Sequence, residues 1–167
     1  LADISGRSRH RQIELAAKLG IEEYPTPAGG CLLTQEAFSR RLERFMESRD
    51  NLHLNDLHIL RYGRHFYLDN NLFIVGRNHS ENMDLEKLSD QSDYLFKVVN
   101  RPGPLGLLKC SDIPGKELLT RAAAILARYS DARNEPLARV KIYKKDQEAM
   151  EILEVAPLKS EDTPASV

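Results

Sequence analysis

The residue best placed for chemistry is Cys31, in the stretch Tyr24-Pro25-Thr26-Pro27-Ala28-Gly29-Gly30-Cys31-Leu32-Leu33-Thr34. The two prolines hold the approach extended, because each fixes its own φ and disfavours α geometry in the residue before it. Gly29 and Gly30 allow backbone approaches that a side chain would forbid. Thr34 is positioned to cap a helix that begins near Gln35. A thiol at such a helix entry, with Arg40 and Arg41 close in sequence, is biased toward the nucleophilic thiolate. The same pattern also describes a buried structural cysteine beside a turn, and spacing alone favours that reading. Cys110 ends an apolar strand and reads as core.

Cations are the other chemical resource. Arg7, Arg9, His10 and Arg11 crowd the first turn of a helix over 9–19, where the helix dipole disfavours positive charge. They form either a solvated helix start or an anion site built from side chains and unpaired N–H groups. A second amphipathic helix over 35–47 sets Phe38, Leu42, Phe45 and Met46 on one side, and Arg40, Arg41 and Arg44 largely on the other. Asp and Glu show no pairing at a spacing suited to acid–base work. The five histidines, His10, His53, His58, His65 and His79, form no zinc-ligand spacing with the two cysteines, so no metal is expected.

Beyond residue 50 the pattern changes from helical to alternating. A polar stretch over 48–55 is the expected domain boundary, followed by a short helix over 56–62. His65-Phe66-Tyr67-Leu68 and Leu72-Phe73-Ile74-Val75-Gly76 read as strands joined by Asp69-Asn70-Asn71. A helix reaching Leu88 follows, then strands over 94–99 and 105–110 separated by Arg101-Pro102-Gly103-Pro104. Pro114-Gly115 introduces the strongest helix, over 116–129, and strands over 138–144 and 150–155 close the set. The expectation is an α+β fold: a small mixed or antiparallel sheet with packed helices (51–156), a helical appendage before it (1–50), and a disordered polar tail (157–167).

The chain has 167 residues, a hydrophobic content of 41% and a formal net charge of -1. That is enough apolar material for one core and excludes a globally basic binder, while leaving room for local basic faces. No apolar run approaches a membrane span, and no secretory signal is visible. A reducing cytoplasm is therefore the expected location. The start at Leu1-Ala2-Asp3 reads as a piece of a longer protein.

Two segments carry family resemblances. Ser-Arg-His-Arg-Gln-Ile-Glu-Leu-Ala-Ala-Lys-Leu-Gly-Ile (8–21), Pro-Ala-Gly-Gly-Cys-Leu-Leu-Thr (27–34) and Phe-Ser-Arg-Arg-Leu (38–42) together resemble the end of a PP-loop ATPase domain, as in tRNA 2-thiouridylases and 4-thiouridine synthases. That resemblance implies ATP-dependent replacement of a uridine oxygen by sulfur, with Cys31 carrying the sulfur as a persulfide or closing a disulfide. Ile74-Val75-Gly76-Arg77-Asn78-His79-Ser80-Glu81-Asn82 resembles the opening of the NFACT RNA-binding domain. The later Pro-Gly turn, the helix ending Ala-Arg-Tyr-Ser and the strand Arg-Val-Lys-Ile-Tyr fit the same pattern. Three departures stand out. The Ser-Gly-Gly-x-Asp-Ser loop that binds ATP is absent, and no second cysteine precedes Cys31. The Asp-x-Pro-Gly-x-His segment is represented by Asp112-Ile113-Pro114-Gly115-Lys116, without its histidine.

The combined expectation is the C-terminal part of a tRNA-thiolating protein, inactive by itself because its ATP site lies outside these residues, and binding no cofactor of its own. Cys31 is the expected catalytic residue. The resemblance implies RNA contacts through Arg7, Arg9, Arg11, Arg40, Arg41, Arg61, Arg64, His65, Arg77, Asn78 and Asn82, since guanidinium groups grip phosphate bidentately and stack on bases. Arg77, Asn78 and Asn82 read equally well as a capped strand-to-helix turn. Lys141, Lys144 and Lys145 read as a solvated strand end. Expected partners are RNA, tRNA in particular, and a sulfur-donor protein, with no membrane. The alternatives are a non-catalytic module that binds RNA or the ribosome, and a protein–protein interaction domain.

Overall fold

A computed structural model describes residues 36–48, 54–147 and 149–167. Cys31, Arg7, Arg9, Arg11, the helix over 9–19 and the prolyl-glycyl loop lie outside the described residues. Elements follow the order α1 (Glu36–Ser48), α2 (Leu54–Ile59), β1 (Arg64–Leu68), β2 (Asn71–Val75), α3 (His79–Leu88), β3 (Tyr94–Val98), β4 (Leu105–Lys109), α4 (Lys116–Arg128), β5 (Ala138–Tyr143) and β6 (Ala149–Val155). The strands form one six-stranded sheet in the order β1-β2-β4-β3-β5-β6, and every pairing is antiparallel. The fold is thus α+β.

Local chemistry accounts for the joints. Leu68 pairs with Asn71, so Asp69 and Asn70 form a two-residue hairpin turn with φ of 49° and 64°. Asp and Asn tolerate this left-handed geometry, which matches the twist of the flanking strands. The central strands β2 and β4 are buried along nearly their whole length. Their runs of Leu, Ile, Val and Phe show little alternation because both sheet faces are covered.

Helix α4 lies on one face. Its Leu118, Ala122, Ile125 and Leu126 meet Phe66, Phe73, Phe96, Val140 and Leu153 of the sheet. Phe73 and Phe96 pack edge to face there, with centroids 5.3 Å apart. The opposite face receives Phe38 and Phe45 of α1, Ile59 of α2 and Leu85 of α3, against Leu72, Ile74, Leu95, Leu105 and Leu107.

Helix α1 is therefore part of this core rather than of a separate appendage. Arg41 ties it further to the strand domain, donating to Leu60 O (3.1 Å) and Gly63 O (3.3 Å). The apolar stripe that defined the helix in sequence did not show which surface it would cover.

Residues 157–167, expected to be a disordered tail, run back over the domain. Leu158 packs against the α4 core and its N–H donates to Ala124 O. Val167 N–H donates to His65 O (3.0 Å), while Val167 O accepts from Arg41 Nε (3.1 Å). A polar composition had suggested disorder, but partly buried Leu158 and the backbone hydrogen bonds at Leu158 and Val167 hold the segment.

At the far end of β4, Lys109 is 2% exposed and is surrounded by acids. Its Nζ lies 3.0 Å from both carboxylate oxygens of Asp93 and 3.1 Å from Asp56 Oδ1, with Asp90 at 3.6 Å. Burial alone would discharge the ammonium, but Asp93 and Asp56 prevail and hold its pKa above the ordinary value. The cluster joins α2, the start of β3 and the end of β4. Among the described residues, no helix is long and apolar enough to cross a membrane.

Candidate functional site

The opposite end of the sheet carries an open groove of about 890 Å³. Four arginines converge on it from separate elements: Arg64 at the start of β1, Arg77 between β2 and α3, Arg128 in the last turn of α4, and Arg133 in the loop beyond. Asp131 is the acid among the lining residues. The Pro102-Gly103-Pro104 turn forms one wall, and Ser160, Thr163 and Pro164 of the C-terminal segment form another.

Residues 76–82 are shaped first by the fold. A Cβ on Gly76 would overlap Asn82 Oδ1, so only glycine lets the two approach. Asn82 Oδ1 accepts from Leu105 N–H at 3.0 Å, locking α3 to the start of β4. Asn78 is the N-cap of α3, its side chain accepting from Glu81 N–H at 3.0 Å. Glu81 accepts from Arg77 N–H (2.9 Å) and Gly63 N–H (3.1 Å) and pairs with the Arg77 guanidinium. Desolvation works against its charge, yet the hydrogen bonds from Arg77 and Gly63 keep its carboxyl below the ordinary range. The capped-turn reading of Arg77, Asn78 and Asn82 thus describes their contacts. The face of Arg77 that lines the groove still offers positive charge beside the N-terminus of α3.

The rest of the groove is held as firmly. Asp131 N–H donates to Pro102 O (3.0 Å), and Ser130 Oγ donates to Ala127 O and accepts from Ala132 N–H. A Cβ on Gly103 would come within 2.8 Å of Ser130 Cβ, so this glycine lets the two loops touch. Arg64 stacks over the Tyr129 ring at 4.9 Å, and that ring in turn lies against Phe66. Among the described residues, Arg64, Arg128 and Arg133 enter no salt bridge with a carboxylate. A cluster of guanidinium groups without carboxylate partners beside a helix N-terminus is a site for phosphates.

Of the residues singled out from sequence, the groove gathers Arg64, Arg77, Asn78 and Asn82. Arg61 is exposed on the surface outside it, and Arg40 pairs with Glu36 on the exposed face of α1. Arg41 spends its donors on three carbonyls, and burial, with Arg77 nearby, lowers its pKa. His65 needs correction as an RNA contact: it is 0% exposed. Its Nε2 lies 2.8 Å from Tyr62 O, Nδ1 has no partner among the described residues, and burial beside Arg41 pushes its pKa down to about 3.

Arg128, Tyr129, Arg133 and the Pro102-Gly103 turn were not chosen from sequence. Ala-Arg-Tyr-Ser stood out only as part of a family pattern, and a cation in the last turn of a helix already has a structural explanation. The Asp112–Lys116 segment instead borders a separate pocket, of about 410 Å³, with Asp69 and Cys110 at the opposite sheet end. Cys110 itself is buried.

An all-antiparallel sheet sandwiched by helices, with a rigid arginine-lined groove at one end, defines an RNA-binding domain once its family is known. Residues 63–166 match the NFACT protein RNA binding domain, and the chain belongs to that family. Among solved structures, the fold is similar to the C-terminal of the fibronectin/fibrinogen-binding protein from Streptococcus suis, with a TM-score of 0.54 and 21% identity. The likeness covers 77% of this chain and 61% of that one, so this chain spans about three fifths of its length. At that identity it speaks to fold alone. No curated protein matches the chain. The family match begins after the segments that resemble PP-loop proteins.

Proposed function

We propose that the groove is the RNA-binding site of this domain, and that it holds successive backbone phosphates between Arg64, Arg77, Arg128 and Arg133. The supporting observation is the convergence of these four cations, from four separate parts of the chain, on a groove whose lining among the described residues includes a single acid. The lining hydroxyls of Ser130 and Thr163 are bonded to Ala127 O and Lys159 O, which suits binding rather than chemistry. Arg64→Ala/Arg128→Ala/Arg133→Ala is expected to weaken RNA binding at least tenfold (about 1.4 kcal/mol in binding free energy). Unchanged affinity would overturn the proposal.

A finer reading makes this domain the tRNA-holding part of a longer thiolating protein, with Cys31 as the sulfur carrier and a separate protein as sulfur donor. Its support is the resemblance of residues 8–42 to PP-loop thiouridylases, joined in one chain to an RNA-binding domain. Full-length protein carrying Cys31→Ser should lose thiolation; retained thiolation would remove Cys31 from the reaction.

A further inference from the structure

Among the described residues, helices α1 to α3 cover only half of their sheet face. The core beneath them draws nothing from β6 and only Tyr143 from β5. On the open half, Lys97 of β3 stands directly opposite Lys141 of β5. Arg139 lies two residues before Lys141 and therefore projects from the same face. Like charges directly opposite one another on neighbouring strands repel. Neither lysine forms a salt bridge among the described residues; the Lys141 ammonium instead sits 5.0 Å from the Tyr143 ring. The acids bordering this area are Glu154, 4.0 Å from Arg139, and Glu86, 3.4 Å from the Tyr143 hydroxyl. Exposed Ile152, the cross-strand neighbour of Lys141, adds an apolar surface.

The patch continues from the groove. Lys97 pairs directly with Leu105 of β4, which follows Pro104 of the groove wall and whose N–H donates to Asn82 Oδ1 in the groove lining. Past the end of β3, Val99 N–H donates to Arg139 O at 2.8 Å, tying β5 to the loop that continues into the Pro102-Gly103-Pro104 groove wall.

We infer that the open sheet face is a second RNA-contact surface, where Lys97 and Lys141 hold a backbone phosphate of the strand leaving the arginine groove and Tyr143 and Ile152 offer surface to a base. The inference rests on the reading of the domain as an RNA binder with its primary site in the groove. Two observations favour RNA over an acidic protein: the patch joins the groove, and it pairs cations with an aromatic ring, as surfaces that track a single strand do.

The test measures binding of single-stranded RNAs of about 4 and about 16 nucleotides to the wild type, to Lys97→Ala/Lys141→Ala and to the groove triple variant. The lysine variant should melt no lower than the wild type, because it removes a repulsion. It should bind the short RNA normally and the long RNA about tenfold more weakly, with the slope of log K against log salt reduced by about 0.7. Equal affinity of wild type and lysine variant for the long RNA would overturn the inference while leaving the groove intact, and would assign the lysines to an acidic protein surface instead. Retained short-RNA binding by the groove variant would overturn the groove reading, and with it the path proposed for the strand. Failure of the wild type to bind either RNA would overturn both.

Discussion

Replacing Lys109 with methionine is expected to cost the fold about 3–5 kcal/mol, a large share of the stability of a typical domain. The ammonium is the counter-charge for Asp93 and Asp56, both buried, and for the half-exposed Asp90. Methionine fills much the same volume but leaves two buried carboxylates without their cation. They must then ionise at a desolvation cost or take up protons. Burial already pushes the Asp93 carboxyl upward, and without Lys109 nothing opposes that push of comparable strength. The measurement is the urea midpoint of wild type and Lys109→Met, together with Asp56→Asn/Asp93→Asn/Lys109→Met. Neutralising the whole cluster should recover most of the loss, because the penalty lies in the unpaired charges rather than in lost packing. A single variant within 1 kcal/mol of wild type would show that the cluster is not electrostatically coupled as its geometry implies.

His65 should make the domain acid-sensitive. The ring is buried and neutral, with a pKa near 3 against 6.5 for an ordinary histidine. Between those values the unfolded chain takes up a proton that the folded protein refuses. The unfolded state therefore binds more protons, and stability falls as pH falls, by about 1.4 kcal/mol per pH unit and on the order of 5 kcal/mol in all. Above pH 6.5 the term is constant. Glu81 adds acid sensitivity of its own, but only below its ordinary value of 4.5, because its folded-state pKa is lowered. Asp93, whose carboxyl is raised, acts with the opposite sign but is common to both proteins, so the difference between wild type and a His65 variant in the window from pH 6.5 to 4.5 reports on His65. His65→Gln keeps a donor for Tyr62 O and cannot protonate, so its stability should stay nearly flat across that window. Parallel decline of the two proteins would contradict the assignment.

Much of the fold was legible because local chemistry and tertiary structure agree. Asp69-Asn70 had to turn, and Pro114-Gly115 had to precede α4. The unbroken apolar runs of β2 and β4 had to be buried, and they lie at the sheet centre. What sequence could not supply was adjacency. The stripe on α1 announced a buried face without saying that Phe38 and Phe45 would share a core with Leu95 and Leu107. Lys109 drew no notice within the strand over 105–110, because its carboxylate partners lie 16 and 53 residues away.

The groove follows the same rule. Arg64 and Arg77 were visible near strand and helix starts. Arg128 and Arg133 join them only because α4 runs the length of the sheet and ends above β1, as its Tyr129 contact with Arg64 shows. His65 was misassigned because its neighbours Arg61 and Arg64 made the segment look like a basic surface. Both faces of the sheet are covered at β1, so His65 is buried on the side of Ile74 as Phe66 is on the α4 side, while Arg64 at the strand start remains partly accessible.

RNA binding across a salt series, by wild type and by Arg64→Ala/Arg128→Ala/Arg133→Ala at matched helix and sheet content, tests the groove most directly. If three guanidinium groups hold three phosphates, wild-type affinity should fall steeply with salt, and the variant should lose at least tenfold in affinity and about 2 from the slope of log K against log salt. A variant with the wild-type affinity and slope would mean that RNA is held elsewhere on the domain, and that the arginine groove is not its site.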